Sequence, residues 1–137
     1  MGGAHMVGVM TVVEGGEPAK NEYRKFKIRT QTGANDTGAL AEVLGRRLAH
    51  PEWRYPGLIV VDGSTAQINA ARKTLEKAGV QIPVVSVIKD EHHRPKALGG
   101  DKILARKYEA DILLGNSEAH RFAIAYHKGA RAKSFLP

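Results

Sequence analysis

Between Tyr23 and Arg29 the chain alternates strictly. Tyr23, Lys25, Lys27 and Arg29 fall on one face, and Arg24, Phe26 and Ile28 on the other. A period of two predicts a half-buried strand with an unusually basic outer face. The β-branched run Val9–Glu14, followed by the turn Gly15-Gly16-Glu17-Pro18, predicts a partner strand and an antiparallel hairpin. The stretch 32–36 reads as a loop ending in Asp36, an N-cap candidate, after which Leu40, Val43, Leu44 and Leu48 recur at helical spacing. Pro51–Pro56 stops that helix and carries the single tryptophan, Trp53.

Leu58–Val61 is a continuous apolar run, the pattern of a strand buried on both sides. A second helix from Ser64 to Ala78 turns Ile68, Ala71 and Leu75 inward and closes at Gly79. Pro83–Ile88 is again apolar but for Ser86, so strand, helix and strand form a βαβ unit with parallel pairing. Lys89–Lys96 is a polar loop, and a weak strand or hairpin is expected from there through Lys107. The last helix spans about Asp111–Ala130, with Gly115 drawing its start toward Ser117. The whole predicts one α/β domain over 1–137, with residues 1–6 partly of tag origin.

Composition narrows the class. Hydrophobic residues make up 42% and charged residues 26%, the balance of a globular protein. No apolar run approaches the roughly 20 residues of a membrane span, and no signal-peptide pattern opens the chain. Cysteine is absent, which excludes disulfides and thiolate zinc sites and makes a cytoplasmic setting the expectation. The net charge of +7 favours a polyanionic partner, and nucleic acid first.

Asp62 stands just beyond the apolar strand, where parallel sheets gather ligands, and Gly63 lets a backbone approach closely. Asp62 reads equally as a cap for the following helix. His120 shares a helix face with Ala123, Ile124 and His127, as a core histidine would; Arg121 and the polar run Asn116-Ser117-Glu118 point instead to an anionic ligand. The pair His92-His93 lacks companions at metal-ligand spacing and reads as solvated loop. Neither a Walker phosphate loop nor a Gly-x-Ser-x-Gly elbow is present.

Several segments, in order and with compatible spacing, resemble the C-terminal endonuclease domain of UvrC, the excinuclease component of bacterial nucleotide excision repair. They are Tyr23–Ile28, Asn35-Asp36, Leu58–Gly63 and, most specific, Glu118–Ile124. Gly3, Val7, Met10, the turn Glu17–Lys20 and Lys89 also fit. The resemblance implies an RNase H-like fold, a mixed sheet flanked by helices. It implies cleavage of damaged DNA on the 5′ side of the lesion, with Mg2+ or Mn2+ held by an Asp-Asp-His set. Asp62 matches the second Asp of that set, His120 matches the His, and Asp36 lies near a further acidic position that supports activity. Lys25, Lys27, Arg29, Gln67, Lys89 and Arg121 are the expected DNA contacts, and the other excinuclease subunits the expected partners.

The chain departs from the family pattern in places. The first catalytic Asp belongs to a strand before the position of Gly3, so that strand and ligand are expected to be missing. Gly63–Ile68 lacks the family's loop lysine, and Asn116-Ser117 replaces the usual Arg-Asp. Asp62 and one neutral imidazole supply a single negative charge, so weak metal binding and impaired catalysis are expected. Sheet edges left open by the missing strand would favour a homo-oligomer. The alternatives are a non-catalytic DNA-binding or interaction module on the same scaffold, and an unrelated phosphate-binding α/β protein.

Overall fold

The computed structural model describes residues 7–29 and 36–135, with 126–135 as backbone alone. Expectations placed on residues 1–6, on the loop 30–35 and on the side chain of His127 lie outside the described residues.

The alternating segment is strand β4 (Arg24–Lys27), antiparallel to β1 (Val7–Met10) in the register Val7↔Lys27 through Met10↔Arg24. Phe26 and Ile28 are buried while Lys25, Lys27 and Arg29 are exposed, as alternation requires. The run expected as one strand, Val9–Glu14, is divided. β1 begins earlier and stops at Met10, and Val13–Glu14 (β2) turns back on Glu17–Pro18 (β3). Gly15 and Gly16 have φ of 60° and 80°, the two positive values of a type I′ hairpin turn, which a β-carbon would disfavour. That turn re-aims the chain and ends the longer strand.

Helix α1 (Asp36–Leu48) ends in a buried Arg47, whose guanidinium donates to the backbone carbonyls of Trp53 and Arg54. It thereby ties down the loop at Pro51–Pro56. Trp53 stacks on His50 at 3.9 Å and meets Phe26 edge-on at 6.3 Å, which seats the loop against the hairpin.

Strand β5 (Ile59–Asp62), helix α2 (Thr65–Ala78) and strand β6 (Val84–Lys89) form the expected βαβ unit, with Ile59↔Val84 through Asp62↔Val87 in parallel register. At the start of α2, Gln67 Oε1 accepts from the Ser64 N–H at 2.9 Å. At its end Gly79 is left-handed (φ 70°), and the Val80 N–H reaches back to the Leu75 carbonyl at 3.0 Å. β7 (Pro95–Gly100) adds antiparallel to β6, so the sheet β5-β6-β7 is mixed.

Side chains leave β6 alternately to two cores. Val84 joins Leu44, Leu48, Val61, Ile68, Ala71 and Leu75 beneath α1 and α2. Val85 and Val87 meet Ile112 on the opposite face. Among the described residues β5 pairs with β6 only, so its other edge is open. The apolar run that predicted burial on both sides is therefore only half buried at Ile59 and Val60, with Val61 alone fully enclosed. Composition fits a strand for an interior place, but its neighbours decide its exposure.

Two further expectations are corrected. The segment through Lys107 does not remain extended: Lys102–Lys107 is helix α3, nucleated by Asp101, whose carboxylate accepts from Ile103 N and Leu104 N at 2.9 and 3.0 Å. The last helix, α4 (Glu109–Phe135), starts before Gly115 and runs through it. Glycine costs a helix about 1 kcal/mol relative to alanine, but tertiary contact offsets it here. Thr11 Oγ1 donates to the Gly115 carbonyl at 2.9 Å, and Val13 packs alongside. α4 thus lies across both β1 and β5, joining the two pieces of sheet. No helix among the described residues is long and apolar enough to cross a membrane.

Candidate nuclease cleft

The carboxyl ends of parallel neighbours lie at one end of a sheet, so the end of β5 and the end of β6 share a site. There Asp62, Gly63, Ser64, Gln67, Ile88, Lys89, Asp90 and His93 line an open cleft of about 460 Å³, joined by Asp36 from the first turn of α1. Gly63 makes the turn possible. Its φ is 139°, its N–H donates to the Val87 carbonyl at 3.0 Å, and a β-carbon would collide with the Gln67 side chain.

The Asp62 carboxylate is 61% exposed and receives the Lys89 ammonium at 3.2 Å, whereas Lys89 is only 16% exposed. The lysine stem is thus covered while its charge meets the Asp62 carboxylate at the opening. Asp36 is exposed at the same cleft. Gln67, expected at DNA, lines the cleft with its amide oxygen already used by Ser64. Asp90 closes the β6–β7 turn by accepting from His92 N and Arg94 N at 2.8 and 3.0 Å.

His120 is exposed on α4 and is not among the residues lining this cleft. Among the described residues no three His, Asp or Glu side chains come close enough together to hold a metal ion, so Asp62, Asp36 and His120 do not form a three-ligand set. Lys25 and Lys27 stand on the exposed face of β4, and Arg29 is exposed two residues beyond its end. The Lys25 ammonium lies 5.7 Å from the Phe122 ring, and the Lys27 carbonyl accepts from Arg46.

Arg121, expected at an anionic ligand, pairs with a neighbour on its own helix. Its Nε and Nη2 donate to the two carboxylate oxygens of Glu118 at 2.9 and 2.7 Å, a bidentate pair. Glu118 is buried and also accepts from the Tyr23 hydroxyl at 2.7 Å, and Tyr23 packs on Phe122 at 5.2 Å. The most specific segment of the sequence therefore anchors α4 to the start of β4. Sequence reasoning missed this role for Glu118, and it also missed Asp90 and His93 at the cleft. The parallel βαβ unit carried a signal for the latter two, because whatever follows β6 must emerge beside Asp62.

The anchor has a pH signature. The Arg121 guanidinium, followed by the Tyr23 hydroxyl, holds the Glu118 carboxyl down to about 2. Burial, followed by the bond to Glu118, pushes Tyr23 up to about 12. As pH falls below the ordinary glutamate value of 4.5, the unfolded chain binds a proton that the folded one refuses, so stability is lost toward pH 2. As pH rises past 10, the unfolded tyrosine ionises first, and stability falls again toward pH 12. The Tm deficit of Glu118→Gln relative to wild type is therefore expected to shrink between pH 5 and pH 2. A deficit that stays constant over that range would contradict the assignment.

Comparison with known proteins settles the ancestry of this arrangement. Residues 1–124 match the family described as the UvrC RNAse H endonuclease domain. The chain belongs to the UvrC family. It is 39% identical to a UvrABC system protein C from Lachnospira eligens over 96% of its own length and 24% of that protein's. It is 37% identical to the proteins of the same name from Alkaliphilus metalliredigens and Streptococcus uberis, over 98% and 96% of this chain and 25% and 24% of theirs. The chain thus spans about a quarter of the length of the UvrC relatives it matches. The mixed sheet with helices on both faces agrees with an RNase H-like domain of this family.

Proposed function

We propose that this chain is the DNA-cutting module of an excision-repair nuclease, hydrolysing a phosphodiester on the 5′ side of a lesion with Mg2+ or Mn2+, in the cytoplasm and together with the other excinuclease subunits. The observation that carries the reading is the meeting of Asp36 and Asp62, from the start of α1 and the end of β5, in one open cleft with Lys89. The donors there suit a hard cation: Mg2+ takes one or two protein carboxylates and completes its shell with water and phosphate oxygens. Such an ion, when bound, activates water and offsets charge developing on the phosphate.

The chain's own residues do the rest. Lys89 pairs with the Asp62 carboxylate at 3.2 Å and holds it at the cleft mouth. Gln67 and Gly63 hold the turn from β5 into α2, so that the carboxylate's position follows the rigid sheet. Lys25, Lys27 and Arg29 offer an exposed basic strand that attracts the phosphate backbone with a salt-dependent affinity. His120 enters the proposal as a metal ligand through the match of its segment, and its variant decides that part.

A second reading, a DNA-binding module without cleavage, is favoured by two observations: Asp62 is already paired with Lys89, and no three-ligand group forms among the described residues. Metal-dependent nicking of plasmid DNA separates the two, with Asp62→Ala and His120→Ala alongside wild type. Nicking by wild type that both variants lose supports the nuclease. Nicking that survives both substitutions overturns the site, and steeply salt-dependent binding that never nicks favours the module. The open edge of β5 further supports a homo-oligomer built through that strand. Sedimentation velocity at increasing concentration reads this directly, and a monomer throughout refutes it.

A further inference from the structure

Of the two adjacent histidines in the β6–β7 turn, only one reaches the cleft. His92 sits beside Glu91 at 3.8 Å, exposed, whereas His93 lines the cleft with Asp62, Asp36 and Lys89. The turn that presents His93 is well braced. The Asp90 N–H donates to the Arg94 carbonyl at 2.8 Å, the His93 N–H to the Asp90 carbonyl at 3.0 Å, and the Asp90 carboxylate takes the N–H groups on either side of His93. His93 itself has φ of 60°, and it is the one non-glycine residue with positive φ among the described residues. Glycine adopts that conformation freely, and a β-carbon disfavours it. The chain therefore places a histidine in the lining of the candidate site at a position whose backbone glycine would adopt more freely.

We infer that His93 is a substrate-contacting residue of this cleft, its imidazole N–H donating to a phosphodiester oxygen of the DNA strand that lies over Asp62. The inference rests on the nuclease or DNA-binding reading above and adds a contact from the β6–β7 turn. The chemistry is suited to the place. The lining carboxylates of Asp62 and Asp36 repel a phosphate, and the one lining ammonium, Lys89, is engaged by Asp62. An imidazole N–H presented from the β6–β7 turn can donate to the phosphate, and the braced turn fixes where that donor stands.

Two variants separate the contact from the turn. His93→Asn keeps a residue tolerant of left-handed backbone and removes the imidazole; His93→Gly relieves the backbone as well. Equilibrium binding of a fluorescent oligonucleotide duplex, with EDTA present to prevent cleavage, is measured beside thermal melts. The expected result is a three- to tenfold weaker Kd in both variants, with Tm unchanged in His93→Asn and raised in His93→Gly. Wild-type affinity in His93→Asn would overturn the contact while leaving the functional reading intact. A wild-type chain that binds no DNA overturns both, so the two failures are distinguishable.

Discussion

Asp62→Ala is expected to lower metal-dependent DNA nicking by about 10³-fold while leaving the fold intact. The magnitude follows from the several kcal/mol that a carboxylate-held cation contributes to phosphate chemistry, at ~1.4 kcal/mol per decade of rate. Structural cost is small because the side chain is 61% exposed and its partner, Lys89, keeps access to solvent. An exposed ion pair of this kind stabilises a protein by at most about 1 kcal/mol. Equal Tm values with lost nicking would therefore assign the effect to chemistry. Full nicking by the variant would remove Asp62 from the mechanism and move attention away from this end of the sheet.

Ile112→Ala is the substitution expected to cost the most stability, about 3–4 kcal/mol, the upper part of the range for emptying a buried isoleucine site. Ile112 is 1% exposed and is the α4 member of the core against Val85 and Val87, with Leu98 and Leu104 around it. The surrounding strand β6 is paired on both sides and cannot collapse into the space left behind. Urea denaturation measures the change, and a loss below about 1 kcal/mol would mean that α4 is held chiefly by its polar anchor at Glu118.

Much of this architecture is legible in the chain because its cause is local. The strict alternation at Tyr23–Arg29 states which side of β4 is buried, and Ser64, Gln67 and Gly79 mark both ends of α2 in residue types with known capping geometry. Other features depend on partners distant in sequence. Gly115 reads as a helix break until Thr11 and Val13 lie against it. Lys102–Lys107 reads as extended until the Asp101 cap is seen to turn it. The run Leu58–Val61 is apolar enough for an interior strand, yet exposure depends on what flanks β5, which no local pattern specifies.

The site divides in the same manner. Asp62 could be picked out because parallel strands gather ligands at their carboxyl ends, although the residue alone reads equally as a helix cap and the resemblance tipped the balance. Lys89 followed from the resemblance, but its pairing with Asp62 required the parallel register that brings Val87 opposite that residue. His93 looked like loop because its cleft exists only once β7 folds back on β6. The pairing of Arg121 was hidden for a related reason: its partner Glu118 stands one turn earlier on the same helix and is held in place by Tyr23, distant in sequence.

The division of the sheet also sets how the molecule can deform. Among the described residues no backbone hydrogen bond joins β1-β4 to β5-β6-β7, and α1 and α4 connect the two through side-chain packing. The basic strand rides on one body and the Asp62 carboxylate on the other. Packed surfaces of this kind slide by small shear displacements, without breaking a ladder of hydrogen bonds. The spacing between the basic face and the carboxylate is thus set by side-chain packing and not by a ladder of hydrogen bonds.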